Sequence, residues 1–174
     1  MSEEIMKQNK ELPVCKETTE VVPVNNKQCL DNALINDTIC HNLITAAIQS
    51  LKFSYAPYSK FKVGAALLTK SNKIYTGCNV ENATYTPTNC AERTAFFKAI
   101  SEGDNEFSAI AIVGGKEGRL KDYCPPCGVC RQVMMEFCDP EKFVVILAKS
   151  PEEYWVYTLK DIMPFGFSPK NLNA

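Results

Sequence analysis

Three cysteines constrain this chain more than any other feature: Cys90 in Cys90-Ala91-Glu92, and the pair in Pro126-Cys127-Gly128-Val129-Cys130. Three thiolates are a zinc ligand set, and a tetrahedral zinc held by three protein ligands keeps one position open. A catalytic site fills that position with water, whereas a structural site closes it with a fourth protein ligand. Cys127 and Cys130 stand at the start of one predicted helix and Cys90 opens another, so all three thiols lie near helix N-termini. The dipole there favours thiolate. Three thiolates outweigh the charge of Zn²⁺ and weaken it as a Lewis acid unless neighbouring donors draw charge from sulfur. Arg93 and Gln132 are the candidate donors.

Other readings of the same residues stand beside this one. A single cysteine is most often a buried apolar residue. Cys124, three residues before Cys127, is a possible fourth ligand that would turn the site into a closed structural zinc. A thioredoxin-like redox pair at Cys127 and Cys130 leaves Cys90-Ala91-Glu92 without a role. Glu92 reads ordinarily as a solvated acid on a helix surface. Two residues after a ligand in a first helical turn, however, it points into the same pocket. His41, the single histidine, sits inside a helical pattern far from the cysteines and reads as an ordinary helix residue.

Charge and length narrow the partners. The 174 residues, 45% of them hydrophobic, suit one domain with a substantial core. A net charge of −1 offers no basic face for a polyanion, so a nucleic-acid partner is not expected. The stretch Met1 to Lys10 is polar and unlike a signal peptide, and no apolar run is long enough to span a bilayer. The expectation is a cytoplasmic protein with reduced thiols and no membrane partner.

Residues 1–36 mix Glu, Lys, Asn and Thr without a sustained period, and read as a polar tail ahead of a domain spanning 37–174. Asn36-Asp37 caps a helix whose face carries Ile39, Leu43, Ala46, Ala47 and Leu51. Lys62 to Thr69 and Lys73 to Val80 read as a hairpin turning at Ser71-Asn72. Helices follow over Cys90 to Glu102 and Gly128 to Cys138, with strands at Phe107 to Val113, Phe143 to Ala148 and Tyr154 to Tyr157. Alternation of this kind predicts an α/β layer structure with a mixed sheet.

With these residues on the page, the chain from about Asp37 to Leu172 resembles the small homotetrameric cytidine deaminases of pyrimidine salvage. The resemblance lies in Tyr55-Ala56-Pro57-Tyr58-Ser59-Lys60-Phe61, Val63-Gly64-Ala65-Ala66-Leu67, Gly77-Cys78-Asn79-Val80-Glu81-Asn82-Ala83, Cys90-Ala91-Glu92-Arg93-Thr94-Ala95 and Pro126-Cys127-Gly128-Val129-Cys130-Arg131-Gln132. It implies a three-layer α/β/α fold with a five-stranded mixed sheet, one zinc per subunit, and active sites shared between the subunits of a homotetramer. It implies hydrolysis of cytidine and 2′-deoxycytidine, in which hydroxide attacks C4 of the ring and ammonia leaves. Cys90, Cys127 and Cys130 would be the zinc ligands and Glu92 the proton shuttle, serving N3 and then the departing nitrogen. The Ala91 backbone would hold the amide edge of the base, Asn79 and Glu81 the 3′-hydroxyl, and Phe61 would stack on the pyrimidine. Tyr85 and Phe167 would reach or close a site, at least one of them from another subunit. Without the resemblance, Asn79 and Glu81 read as a polar turn and Phe61 as core.

The chain departs from the family pattern in a somewhat long loop, Gly115 to Pro126, and in Cys124-Pro125. Both stand at the expected pocket mouth. Rival functions are deamination of another cytosine compound, polynucleotide editing, and a non-enzymatic zinc-stabilised module. Glu81 would repel a substrate phosphate. Editing needs a basic channel with stacking aromatics. The zinc module gives Glu92, Asn79 and Glu81 nothing to do.

Overall fold

The computed structural model describes residues 35–172. The tail expected at 1–36 therefore lies almost wholly outside the described residues. Ile35, at the head of the description, is 2% exposed and already belongs to the core.

Helix α1 (Asp37–Ser50) starts where Asn36 Oδ1 accepts from Ile39 N at 3.0 Å, a cap that satisfies one orphan donor of the first turn. Its buried stripe of Cys40, Leu43, Ile44 and Ala47 returns every three or four residues and lies on one face of the sheet. A 3₁₀ turn at Leu51–Phe53 follows, which the apolar period alone did not announce. Strands β1 (Phe61–Thr69) and β2 (Ile74–Cys78) form the expected hairpin, with Asn72 taking φ 64° in the turn. Next come α2 (Ala91–Ser101), β3 (Phe107–Lys116), α3 (Gly128–Phe137), β4 (Val144–Ala148) and β5 (Tyr154–Thr158). Short helices α4 (Leu159–Ile162) and α5 (Pro169–Leu172) follow β5. Neither carries enough apolar period for a sequence reading to find it.

The strand order is β2-β1-β3-β4-β5, parallel only between β3 and β4. The mixed five-stranded sheet is thus as expected. Side chains alternate across it with period two. Ala65, Leu67, Tyr75, Ile110, Ile112, Val145 and Leu147 face α2 and α3, while Ala66, Leu68, Ala109, Ala111, Val113 and Ile146 face α1. Two apolar layers sandwich the sheet, giving three layers. Phe96 of α2, fully buried, meets Phe107 edge to face at 4.9 Å; burying such a ring contributes about 2–3 kcal/mol.

Two close approaches fix the helices. A Cβ on Gly64 would lie 2.2 Å from Ala47 O, and one on Gly77 2.2 Å from Ala91 O. Any side chain at Gly77 would push β2 away from the first turn of α2, where Cys90-Ala91-Glu92 sits. Strand β3 runs three residues beyond the expected Val113, because Gly114 and Gly115 stay extended opposite Val63 and Lys62. Strand β2 stops at Cys78, two residues short of the expected end, and Val80 instead bridges Asn89 and Tyr55. No helix among the described residues is long and apolar enough to cross a membrane.

Candidate metal centre and adjoining residues

Cys90 is the N-cap of α2 and Cys127 the N-cap of α3, while Cys130 lies in the first turn of α3. Two helix N-termini therefore converge on one point. The sulfurs of Cys90 and Cys127 are 3.8 Å apart, those of Cys127 and Cys130 3.5 Å, and all three lie within 4.8 Å of one another. A tetrahedral zinc with Zn–S arms of about 2.3 Å needs sulfurs about 3.8 Å apart. The donor set therefore fits zinc in both element and spacing. Among the described residues, no other cluster of three such ligands forms, and Cys124 is outside this one. Its sulfur packs instead toward Gly114, where an added Cβ would come within 2.8 Å of it. Burial, with the nearby charges of Glu92 and Cys90, pushes its thiol up to about 12.

Charge is unevenly shared around the cluster. Cys90 is held down to about 5, first by a hydrogen bond from Cys130 and then, against burial, by Arg93. The partner thiol of Cys130 moves up for the same reason. Arg93 Nη2 lies 3.7 Å from Cys90 Sγ, one of the two donors expected from the sequence. Gln132 behaves differently from that expectation: its Nε2 donates to Phe167 O at 2.9 Å, and it is exposed. Its position in α3 turns it toward the C-terminal segment rather than toward sulfur. The neighbouring Arg131, unremarked in the sequence, donates to Pro126 O at 2.8 Å and Ile162 O at 2.7 Å and so pins the cysteine loop to α4.

Glu92 is 4% exposed, an unusual place for a carboxyl. Desolvation raises it from 4.5 to about 7, with the Cys90 charge pushing the same way. It is therefore poised to hold or release a proton near neutrality. Ala91, beside it, is fully buried at the start of α2.

Asn79 and Glu81 leave β2 and turn back toward the start of β1. Asn79 Oδ1 accepts from Val63 N at 2.8 Å and Ser54 Oγ at 2.5 Å, and its Nδ2 donates to Phe61 O at 2.8 Å. Both acceptor positions of this amide are taken, so only its second N–H remains for a ligand. Glu81 Oε2 accepts from Tyr58 N at 2.9 Å and Ser59 N at 3.2 Å, and Oε1 from Ser59 Oγ. These donors, Ser59 Oγ foremost, hold its carboxyl below the usual range. Tyr58, Ser59, Glu81, Tyr85 and Thr88 line an open cleft of about 400 Å³. Phe61 begins β1 at 41% exposure rather than entering the core. Tyr85 is 73% exposed, with its ring 6.2 Å from that of Tyr58, and Phe167 is 56% exposed on the C-terminal segment. His41 is exposed on α1 with its ring 6.1 Å from Tyr154, and belongs to no metal cluster. Ser54 and Ser59 went unassigned in the sequence because a serine in a Pro-containing turn carries no signal beyond turn chemistry.

Known proteins resemble this arrangement. A family model described as "Cytidine and deoxycytidylate deaminase zinc-binding region" matches residues 38–147. A cytidine deaminase of Sporosarcina psychrophila is 45% identical over 131 residues, 75% of this chain and 93% of the relative. One of Halalkalibacterium halodurans is 46% identical over 131 residues, 75% of this chain and 96% of the relative. The crystal structure of cytidine deaminase from Burkholderia pseudomallei superposes with a TM-score of 0.67 at 46% identity, covering 73% of this chain and 98% of its own.

Proposed function

Since the chain belongs to the cytidine and deoxycytidylate deaminase family, we propose that it hydrolyses cytidine and 2′-deoxycytidine to uridine and 2′-deoxyuridine, releasing ammonia, in pyrimidine salvage. The observation that carries this reading is a buried carboxyl, Glu92, two residues along the first helical turn from a sulfur of a three-thiolate cluster spaced for zinc. A structural zinc gives such a carboxyl no task.

Cys90, Cys127 and Cys130 would hold the metal, one per subunit. Bound zinc supplies Lewis acidity that makes water a nucleophile near neutral pH. Glu92 manages the protons: it takes one from the attacking water, delivers it to N3 of the ring, and serves the amino nitrogen as ammonia departs. Burial disfavours the charged form of this carboxyl, which suits it to taking up a proton before passing it on. Phe61 stacks on the pyrimidine and the Ala91 main chain meets its amide edge. At the sugar, the spare N–H of Asn79 donates to the 3′-hydroxyl, and Glu81 accepts from it. Both sugars carry that hydroxyl, so both nucleosides are substrates.

In this reading the working form is a homotetramer whose sites are completed across subunits. The exposed rings of Tyr85, Phe165 and Phe167 support it, since large apolar groups at 73%, 105% and 56% exposure suit contact with another copy. A cytoplasmic setting belongs to this reading, because a reducing compartment keeps thiols free to hold zinc.

The test is ammonia release and loss of cytidine absorbance with zinc-loaded protein, beside Glu92→Ala. Turnover by the parent alone is expected. A protein with one zinc per chain that turns over neither cytidine nor deoxycytidine would sink the proposal, and turnover of deoxycytidylate alone would replace it.

A further inference from the structure

We infer that Ser59 is a positioning residue that couples the carboxylate of Glu81 to the ring of Phe61, so that holding the sugar also sets the stacking surface for the base. The inference rests on the nucleoside reading above and goes beyond it, because it gives a working role to a hydroxyl to which that reading assigns none.

The geometry is a relay with one direction. Ser59 Oγ donates its proton to Glu81 Oε1 and accepts from Phe61 N at 2.9 Å. Asn79 Nδ2 grips the other side of the same residue, donating to Phe61 O at 2.8 Å. Both polar groups of the Phe61 backbone are thus tied to the two residues read as sugar contacts, one directly and one through Ser59. Lys60, between Ser59 and Phe61, takes φ 58°, and its carbonyl accepts from Glu117 N at 2.6 Å. This turn is therefore also held by the residue just past β3, the strand paired with β1.

Acceptor counting explains why the coupling acts on ligand binding. A carboxylate offers about four acceptor positions, and the chain fills three of those on Glu81 with Tyr58 N, Ser59 N and Ser59 Oγ. The remaining position suits one incoming hydroxyl. Ser59 Oγ and that hydroxyl would share the carboxylate, and Ser59 also fixes where it stands. Without Ser59 Oγ, Glu81 Oε1 and Phe61 N both lose a partner. The segment is exposed, so water replaces the lost partner and the fold survives, but the ring and the carboxylate are no longer locked together.

Steady-state kinetics on zinc-loaded Ser59→Ala, Ser59→Thr, Glu81→Gln and the Ser59→Ala/Glu81→Gln double variant test this, with uridine affinity by calorimetry as a second readout. Ser59→Ala is expected to raise KM for cytidine and weaken uridine about tenfold, with kcat changed less than about twofold. Threonine, which keeps the hydroxyl, restores both. In the Glu81→Gln background, the loss caused by Ser59→Ala falls to less than about half on a logarithmic scale. Unchanged KM and uridine affinity in Ser59→Ala, or effects that add fully with Glu81→Gln, overturn the relay. So does a drop in kcat with KM unmoved, which marks a structural role. Absence of cytidine turnover in the parent counts against the deaminase reading alone, and uridine affinity then decides the relay by the same tenfold criterion.

Discussion

Arg93 Nη2 lies 3.7 Å from the sulfur of Cys90 and donates to Thr88 O at 3.0 Å, so one nitrogen ties a candidate metal ligand to the loop ahead of it. The guanidinium offsets negative charge in a site of three thiolates, which would otherwise blunt the Lewis acidity of zinc. Arg93→Gln is expected to keep one zinc per chain yet lower kcat by about 10–100-fold. Metal analysis beside cytidine turnover checks it; full activity in that variant would show that the charge of Arg93 does not matter to the chemistry.

Glu92 gives the zinc-free protein a pH-dependent stability. Its folded-state value, about 7, lies above the unfolded 4.5, so the fold favours the protonated acid. The penalty is absent below 4.5, grows as pH rises through the interval, and is complete above about 7. At 1.36 kcal/mol per unit this amounts to about 3 kcal/mol. Zinc-free Glu92→Gln should therefore be more stable than the zinc-free parent at pH 8 and nearly equal to it at pH 4.5. Urea titrations at the two pH values measure the difference, and equal gains at both would remove burial of charge as its cause.

Cys124 should be dispensable for metal. Its thiol stands outside the three-sulfur cluster and packs toward Gly114 instead. Cys124→Ala is expected to bind one zinc per chain, keep cytidine turnover, and lose about 1 kcal/mol of stability from the gap left against Gly114. Zinc loss in this variant would make the site closed and structural.

How legible the site was depended on which atoms each claim needed. The helix cap at Asn36, the stripe on α1 and the period-two strands rest on neighbours within a few residues, and the described elements agree with them. The ends of β3 and β2 differ from expectation because Gly114 and Gly115 extend β3 by pairing with Lys62 and Val63, while Val80 bridges Asn89 and Tyr55, all partners remote in local pattern. The short helices α4 and α5 lack the length for a readable period. Gln132 is a candidate donor to sulfur in the sequence; the partner its amide finds, Phe167 O, lies 35 residues along the chain.

The sequence by itself determined the ligand chemistry, the layered α/β class and the resemblance that the comparisons bear out, because these are carried by residue identities and short spacings. Only the tertiary structure decided that two helix N-termini meet with sulfurs 3.5 to 3.8 Å apart, and that Glu92 is buried beside them. It alone also showed that Cys124 stands aside, and that Asn79 and Glu81 spend most of their hydrogen bonds on the start of β1. Each of these depends on strand order, on the close approach at Gly77 and on competition among distant donors. No local pattern encodes them, because the partner atoms are brought together only when the sheet closes.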